Sequence, residues 1–380
     1  MPAEYAALIL AAGFSSRMHK GCKPLLPIPF ADGRRSALES LVQLYTEAEV
    51  QRIFVVGGQC RGDDIAAEAK RLGLVYVQNP NAARGMFSSV CTGIEALDAS
   101  SKGCFVHPVD IPLVRLCTLR MLLTAAAEHP GDILVPIFKG KAGHPPLLSA
   151  THLPAILAWT GEHGLRGALY GLPCRQVPVA DKNILLDMDT DDDYGEVCRR
   201  ACRRDILEPD EAEELLRCLA VGEKGMAHGK AVGLAAKKIA IACKAAGGAI
   251  DPMIAETGGL LHDMCKGEVR HESAAGKKLR ALGLPAMARL VEEHRDCALA
   301  DDAPVTEKEL IYLADKYLYG DRLVNLQERF GHKLELFAED AEACKAIRER
   351  LARAEAMELR LHRETGAIPF EIACTVLKTL

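Results

Sequence analysis

Small and cationic residues cluster in one segment near the start of this 380-residue chain, LILAAGFSSRMHKGCKPLLPI at positions 8–28. An apolar run ends at Leu10 and is followed by a loop of small residues and then by Arg17 and Lys23. Small residues let backbone N–H groups approach phosphates, and two cations can neutralise a triphosphate at the carboxyl end of a parallel sheet. The segment is therefore a candidate nucleotide-binding loop, and an ordinary strand-to-helix turn with solvated charges is the alternative.

Three carboxylates follow two other apolar runs. Asp110 ends the run CFVHPVD, and Asp187 and Asp189 lie within ILLDMDTDDDY. If these runs are strands of one sheet, carboxylates at their ends could converge on a Mg²⁺ ion that is shared with substrate phosphates. Helix capping and turn formation are common uses of Asp and are the alternative.

The second half of the chain concentrates histidine and aspartate residues in helical surroundings. Neutral imidazoles and carboxylates suit Fe, Mn, Ni or Zn, and the facing helices of a bundle can project them inward. Any one histidine alone would more simply be a core or surface residue. The adjacent His262 and Asp263 in an apolar helix are harder to explain, because an unpaired buried carboxylate is costly. The candidate metal ligands are His228, His262, Asp263, His271, His294 and Asp315.

The elements that must position these side chains differ between the two halves. Up to about residue 193, short apolar runs alternate with amphipathic stretches, as in units of strand, helix and strand. Such a pattern favours a Rossmann-like α/β domain with a mostly parallel sheet covered by helices. The predicted strands are 6–13, 52–58, 74–79, 104–110 and 132–138, and the predicted helices are 36–47, 63–72 and 86–97.

From about residue 196 the strand pattern ends and helical periodicity takes over, which predicts an all-α domain. The predicted helices are 227–245, 252–265, 273–282, 285–294, 306–318 and 338–363. The stretch after residue 338 carries mixed charges at helical spacing and is interpreted as a packed or dimer-forming helix. We predict an α/β domain at 1–197, a helical linker at 198–222, a helical metal domain at 223–335 and a C-terminal helical extension at 336–380.

Composition excludes several classes of protein. Hydrophobic residues make up 49% and charged residues 26%, which is typical of a globular chain of two domains and not of a disordered one. The net charge of −5 and the scarcity of aromatic residues argue against a nucleic-acid-binding protein. No apolar run is long enough to span a bilayer and the start resembles no signal peptide, so we expect a cytoplasmic protein without a membrane partner, whose 14 cysteines are reduced thiols.

Taken together, the blocks of the first half resemble the nucleotidyltransferases of molybdenum cofactor maturation. The blocks occur in the order of that family and cover about residues 5–195: LILAAGFSSRM with KPLLPI, NPNAARGMFSSVCTGIEAL, PVDIPLV, GHPPLL, HGLRGAL and DMDTDDDY. Within the family, Leu-Ala-Ala-Gly resembles the cytidylyltransferases, whereas guanylyltransferases usually carry a second Gly in place of Ala12. The resemblance thus implies transfer of CMP from CTP to the terminal phosphate of a molybdopterin-type cofactor, with release of pyrophosphate and without a covalent enzyme intermediate.

The resemblance also assigns roles to residues of this chain. Mg²⁺ would be held by Asp110 and Asp189, and Asp187 remains a further candidate ligand. His144 in AGHPPLL would shape the acceptor site or be structural. Two departures from the family pattern stand out: His19 and Lys20 lengthen the first loop by one residue, and Asp191 and Asp192 replace the usual Pro and Glu. The nucleotide contacts implied are Ala11, Ala12, Gly13, Ser88 and Ser89, with Arg17 and Lys23 as the catalytic cations on the phosphates.

The second half resembles the HD-domain metal-dependent phosphohydrolases over about residues 225–330. The order of a His, a His-Asp pair and a later Asp maps His228, His262, Asp263 and Asp315 onto the signature ligands. The additional His271 and His294 imply a centre of two metals, such as Fe or Mn, bridged by Asp263. Lys266 would stabilise charge in the transition state of phosphoester hydrolysis, or be a solvated cation at a helix end.

The sequence therefore predicts a bifunctional enzyme with CTP and a molybdopterin-type cofactor as substrates, and a recipient molybdoenzyme as a possible partner. Two alternatives remain open. The acceptor of the transferase could be a sugar or polyol phosphate. The helical domain could instead be a non-catalytic module that senses nucleotide or presents the cofactor to an apoenzyme.

Overall fold

Most of the chain has a described structure in the computed structural model, namely residues 4–14, 17–292, 303–319 and 322–375. It divides into two units, with the boundary after Arg204. The strands of the first unit are β1 (Tyr5–Ala11), β2 (Pro27–Phe30), β3 (Gly33–Ser36), β4 (Arg52–Gly57), β5 (Val75–Gln78), β6 (Gly103–Pro108), β7 (Ile133–Phe138), β8 (Lys141–Ala142), β9 (Leu147–Ser149) and β10 (Cys174–Pro178). Its α-helices are α1 (Ala37–Glu47), α2 (Gly62–Arg71), α3 (Met86–Glu95), α4 (Leu116–Glu128), α5 (Leu153–Leu157), α6 (Gly164–Ala168) and α7 (Asp191–Ala201).

The sheet of the first unit has the strand order β10-β7-β9-β6-β1-β4-β5, with β8 paired to β7. Strand β1 pairs in parallel with β4 and β6, and β4 with β5 and β10 with β7 are parallel as well. Strand β9 is antiparallel to both of its neighbours. The structure thus confirms the mostly parallel α/β fold.

Strand β1 shows how alternating side chains build the two layers of this fold. Ala7 and Ile9 face a core that includes residues of α1 and α4, whereas Ala6 and Leu8 face one that includes residues of α3 and α6. Successive side chains of a strand point to opposite faces, so a strand that is apolar at every position is covered on both sides.

Several elements of the first unit were not predicted. The hairpin of β2 and β3, helix α4, strand β10 and the three-residue strand β9 are all additional to the sequence interpretation. Strand β9 is short and follows two prolines, so it has too few residues to show a period of two. Its pairing between β6 and β7 is set by the sheet rather than by its own pattern.

The second unit is mainly helical, as the sequence predicts. Its core combines residues of α9, α13 and α15. Among the described residues, no helix combines the length and the apolar character that a membrane span needs. The elements are α8 (Pro209–Cys218), α9 (Glu223–Ala245), α10 (Pro252–Leu261), α11 (His271–Ala281), α12 (Pro285–Glu292), α13 (Glu307–Lys316), β11 (Leu318–Tyr319), β12 (Arg322–Leu323), α14 (Leu326–Leu336), α15 (Ala341–Thr365) and α16 (Pro369–Cys374).

Two predicted boundaries need correction. The linker predicted at 198–222 does not exist as a separate segment, because α7 runs through residue 201 in the first unit and α8 belongs to the second. Buried side chains explain this: Ala201 is in the core of the first unit, and Leu215 of α8 is fully buried. The extension predicted at 336–380 is likewise part of the helical core, to which α15 contributes Ile347 and Leu361.

Helices α9 and α10 approach each other closely because glycines line their contact. A Cβ atom on Gly259 would lie 2.6 Å from the Cα of Gly233, and one on Gly229 would lie 2.6 Å from the carbonyl oxygen of Leu260. His228 is one residue from Gly229, and His262 directly follows α10. The glycine contact therefore sets the distance between these two histidines.

We expect Gly259→Ala to destabilise the second unit by about 3 kcal/mol, because the added methyl group would meet backbone atoms that cannot rotate away. Gly331→Ala in α14 is the matched control, since a Cβ there would meet nothing within 4 Å. The control should be neutral or stabilise by less than about 1 kcal/mol. Thermal unfolding of both full-length variants by calorimetry checks this, and equal behaviour of the two would contradict the close contact of α9 and α10.

Two candidate active sites

The first candidate site is a cavity of about 430 Å³ at the carboxyl end of β1 and β6. The loop after β1, the residues after β6 and the start of α3 form its walls, because the carboxyl ends of parallel strands open on the same edge of a sheet. The lining includes Ala11, Ala12, Gly13, Phe14, Arg17, Lys23, Gly85, Met86, Ser89, Asp110 and Asp189.

Lys23 joins the two carboxylates of this cavity. Its Nζ lies 3.1 Å from Oδ2 of Asp110 and 2.6 Å from Oδ1 of Asp189. The other oxygen of Asp189 lies 2.5 Å from Nη2 of Arg17. The hydrogen bond from Lys23, together with the charge of Arg17, holds the pKa of Asp189 below its ordinary value. The site thus gathers two cations and two carboxylates around one point.

The two departures from the family pattern meet in the structure. A carboxylate oxygen of Asp191 accepts hydrogen bonds from the backbone N–H groups of His19 and Lys20, at 3.2 and 3.3 Å. The backbone N–H of Met188 donates to the carbonyl oxygen of Asp110 at 2.8 Å. The longer first loop is therefore tied to the same acidic segment that supplies Asp189.

Asp187 lies outside the cavity lining and is exposed. Loss of hydration on the covered part of its carboxyl group, together with the neighbouring charge of Asp189, raises its pKa. Asp187 is therefore near Asp189 but does not line the cavity with Asp110 and Asp189, although all three were predicted as metal ligands.

The two serines predicted to contact nucleotide also differ in position. Ser89 lines the cavity, whereas the hydroxyl of Ser88 donates to the carbonyl oxygen of Gly85 at 2.8 Å, at the start of α3. The fully buried Asn79 donates from Nδ2 to the hydroxyl oxygens of Ser88 and Ser89, at 2.8 and 2.9 Å. Asn79 ends the predicted strand at 74–79, and its role was missed because an Asn after a strand usually indicates a turn.

His144 does not line the cavity. Burial lowers the pKa of its imidazole, and its backbone N–H donates to the carbonyl oxygen of Ile184 at 3.0 Å. A Cβ on the preceding Gly143 would lie 2.5 Å from that same oxygen, which explains why the GHPPLL block needs glycine there. The peptide bond between His144 and Pro145 is cis.

The second candidate site brings together His228 of α9, His262 after α10 and Asp315 of α13. Their potential ligand atoms all lie within 4.8 Å of one another. The Nε2 atoms of His228 and His262 lie 3.5 and 3.7 Å from Oδ1 of Asp315, and 3.7 and 3.5 Å from Oδ2 of Asp263. The other oxygen of Asp263 faces Nε2 of His271 at 3.2 Å.

Hydrogen bonding fixes the tautomer of the buried His262. Its Nδ1 lies 2.7 Å from the carbonyl oxygen of Gly259, which can only accept, so Nδ1 carries the proton and Nε2 faces the cluster. Burial disfavours the charged form, but hydrogen bonding to Asp315 and the charge of Asp263 raise the pKa of His262 overall. Imidazole and carboxylate ligands held in this way fit a transition-metal ion.

Lysines balance the carboxylates of the second site. Lys266 Nζ lies 2.6 Å from Asp263, and Lys316 Nζ lies 2.7 Å from Asp315. Burial alone would raise the pKa of Asp315, but Lys316 and the two imidazoles of the cluster hold it well below its ordinary value. The predicted ligand His294 lies outside the described residues.

Comparison with known proteins assigns each unit to a class. Residues 7–177 match the model of the MobA-like NTP transferase domain, and residues 218–320 match that of the HD domain. The chain therefore combines a nucleotidyltransferase domain with a domain of the HD type, a family of metal-dependent phosphohydrolases.

Individual relatives match the first unit. The molybdenum cofactor cytidylyltransferase of Escherichia coli (strain K12) is 28% identical over 188 residues, which are 49% of this chain and 92% of the relative. A solved structure from Mycobacterium sp. strain JC1 is 22% identical with a TM-score of 0.45, and covers 53% of this chain and 99% of its own. Another solved structure, from Mycobacterium tuberculosis H37Rv, is 22% identical with a TM-score of 0.44. The match covers 52% of this chain and 100% of the chain in that structure. The match of residues 7–177 and the relationship to a molybdenum cofactor cytidylyltransferase make the chain an enzyme of the nucleotidyltransferase class.

We expect Lys23→Met to bind Mn²⁺ on the order of tenfold more tightly in the absence of nucleotide, because the lysine Nζ competes with a metal ion for Asp110 and Asp189. Spin-resonance titration of free Mn²⁺ against the full-length protein measures the affinity. The gain should disappear in the double variant that also carries Asp110→Asn, which separates this site from the histidine cluster. Unchanged Mn²⁺ affinity in Lys23→Met would contradict the competition.

Proposed function

We propose that the first unit transfers CMP from CTP to the terminal phosphate of a molybdopterin-type molybdenum cofactor and releases pyrophosphate. The observation that carries the proposal is the convergence of Asp110 and Asp189 on one cationic group inside a cavity lined by the small loop of Ala11, Ala12 and Gly13. The relationship to a molybdenum cofactor cytidylyltransferase supports the choice of nucleotide and acceptor.

The residues of the cavity fit a Mg²⁺ ion, because Asp110 and Asp189 supply hard oxygen ligands that already share one cation. Mg²⁺ would add positive charge where two phosphate groups have to meet. Arg17 and Lys23 are placed to hold the triphosphate and to balance the charge that collects on the departing pyrophosphate. The backbone of the first loop and Ser89 would position the nucleotide, and Asn79 holds Ser89 in place.

The choice of CTP over GTP is supported by Ala12, which lines the cavity at the position where the guanylyltransferases usually carry glycine. The relationship to a molybdenum cofactor cytidylyltransferase supports the same choice. If the enzyme does not transfer CMP to the molybdopterin-type cofactor, the acceptor is expected to be a sugar or polyol phosphate.

We propose for the second unit a metal-dependent hydrolysis of a phosphoester, with Fe or Mn as the metal. His228, His262 and Asp315 would hold one ion, and Asp263 would bridge to a second ion near His271, since its two oxygens face the two groups separately. A metal ion held by these residues would polarise a phosphate ester and activate water for attack. Lys266 is placed to stabilise the negative charge that develops on the phosphate.

We expect pyrophosphate release to require Mg²⁺, CTP and molybdenum-loaded molybdopterin, with little release from GTP, ATP or UTP. Asp110→Ala should lower the rate at least 100-fold, because it removes a ligand of the Mg²⁺ ion that would stabilise the negative charge of the transition state. Asp98→Ala is the control, since Asp98 is exposed and lies outside the cavity.

A coupled pyrophosphate assay on the full-length protein measures these rates. Release with GTP in place of CTP would contradict the nucleotide assignment. Release with a sugar phosphate and none with the cofactor would replace the acceptor. Equal loss of activity in the Asp98→Ala control would show that the assay reports folding and not chemistry.

We expect Asp315→Asn to abolish Mn²⁺-dependent hydrolysis of p-nitrophenyl phosphate and to reduce the bound metal, while CMP transfer continues. Glu349→Gln, an exposed carboxylate of α15, should change neither activity. Phosphatase assays and elemental analysis of the same samples measure both effects. Absence of hydrolysis and of metal in the wild-type protein would favour a non-catalytic module that presents the cofactor to a recipient molybdoenzyme.

A further inference from the structure

A small cationic cavity adjoins the histidine cluster of the second unit. It has a volume of about 220 Å³, and its charged lining consists of five cations and two carboxylates. The carboxylates are Asp263 and Asp315, and each already has a lysine partner within 2.7 Å. The five cations are Lys266, Lys316, Arg329, Lys333 and Arg350.

Two of these cations, Arg329 and Lys333, have charge or N–H donors that no described residue uses. The Nη2 atom of Arg329 lies 3.8 Å from Asp315, but its Nε atom is buried and has no hydrogen-bond partner in the described part of the chain. Lys333 forms no ion pair with any described residue, and its ammonium group lies 5.9 Å from the centre of the Phe330 ring. Partial burial of Arg329 and Lys333 with part of their charge and N–H donors unused is unfavourable, so the cavity suits an anion with several negative charges.

A second cavity meets the same cluster from another side. It is larger, about 810 Å³, and its lining includes Ala227, Leu318 and Tyr319. Both cavities are lined by Asp263, Lys266, Asp315 and Arg329, so the two cavities join beside the histidine cluster. A molecule that spans the junction would place an organic group in the larger cavity and an anionic group in the cationic one.

We propose that the second unit acts on organic diphosphates whose outer phosphate is terminal, and that Arg329, Lys333 and Arg350 bind this outer phosphate. This inference rests on the phosphohydrolase activity proposed above. The cationic cavity, at about 220 Å³, has room for a terminal phosphate group beside these three cations.

The reaction follows from this placement. Water attacks the inner phosphorus beside the histidine cluster, whose His228, His262 and Asp315 would hold the activating metal ion. A new P–O bond forms, and the bridging P–O bond breaks. The outer phosphate leaves with the bonding electron pair into the cationic cavity, and the proton released by the water neutralises part of the product charge. The products are an organic monophosphate and orthophosphate, with no change in oxidation state.

Inorganic pyrophosphate and orthophosphate are suitable probes of the full-length Mn²⁺-loaded protein. The background carries Asp110→Ala, Arg17→Ala and Lys23→Met, which remove a metal ligand and the two pyrophosphate-binding cations of the first site. We expect pyrophosphate to inhibit hydrolysis of p-nitrophenyl phosphate, and to bind in calorimetry, at least tenfold more tightly than orthophosphate. Lys333→Met and Arg350→Met should each weaken pyrophosphate binding about tenfold, because one charge-assisted contact to the outer phosphate is lost. Each should change the affinity for orthophosphate less than twofold.

Lys345→Met is the matched control, since Lys345 is an exposed cation of α15 outside the cavity and should not alter either affinity. Equal affinity for the two anions, or pyrophosphate binding that ignores Lys333 and Arg350, would overturn the inference. If the protein hydrolyses p-nitrophenyl phosphate but shows no preference for pyrophosphate, the diphosphate inference is wrong and the proposed hydrolase activity stands. Pyrophosphate binding that depends on Lys333, with no hydrolysis under any metal, would support the diphosphate site and contradict the proposed hydrolase.

Discussion

Both candidate sites depend on carboxylates that the fold forces together and that resident lysines neutralise. In the first unit Lys23 bridges Asp110 and Asp189, and in the second unit Lys266 and Lys316 pair with Asp263 and Asp315. Neighbouring carboxylates repel each other, and a lysine placed between or beside them offsets that repulsion. Lys23 and Lys316 help to hold the pKa values of Asp189 and Asp315 below their ordinary values. The lysines also mark the points at which we propose that a divalent metal ion and phosphate oxygens bind.

The two units reach this arrangement by different means. Parallel strands bring Asp110 to the edge where the loop after β1 presents Arg17 and Lys23, and a hydrogen bond between Met188 and Asp110 fixes the acidic segment beside them. In the second unit the glycine contact of α9 and α10 sets His228 beside His262. Backbone packing thus brings together the chain segments that carry the carboxylates and the histidines.

The sequence predicted the α/β and all-α classes because long apolar runs and helical periodicity are local signals. It also named the charged residues that the structure brings together, since Arg17, Lys23, Asp110 and Asp189 lie in recognisable blocks. It could not separate Asp187 from Asp189, which are two residues apart in an irregular segment. Arg329, Lys333 and Arg350 lie on two helices after the HD signature, and only tertiary packing places them beside Asp315. Asn79 was missed because an Asn at a strand end usually indicates a turn, whereas its hydrogen bonds to Ser88 and Ser89 form only in the folded structure.

Asp110 and Asp189 are the metal site that we propose for the first unit, with Lys23 in the place of the metal ion until metal and nucleotide arrive. His228, His262 and Asp315 are the metal site that we propose for the second unit. The most direct test is anomalous diffraction at the manganese edge from crystals of the full-length protein grown with Mn²⁺ and a non-hydrolysable CTP analogue. The account predicts one manganese peak between Asp110 and Asp189, with Lys23 moved onto the triphosphate, and another at His228, His262 and Asp315. Lys23 still bridging both carboxylates while nucleotide and metal bind elsewhere would contradict it.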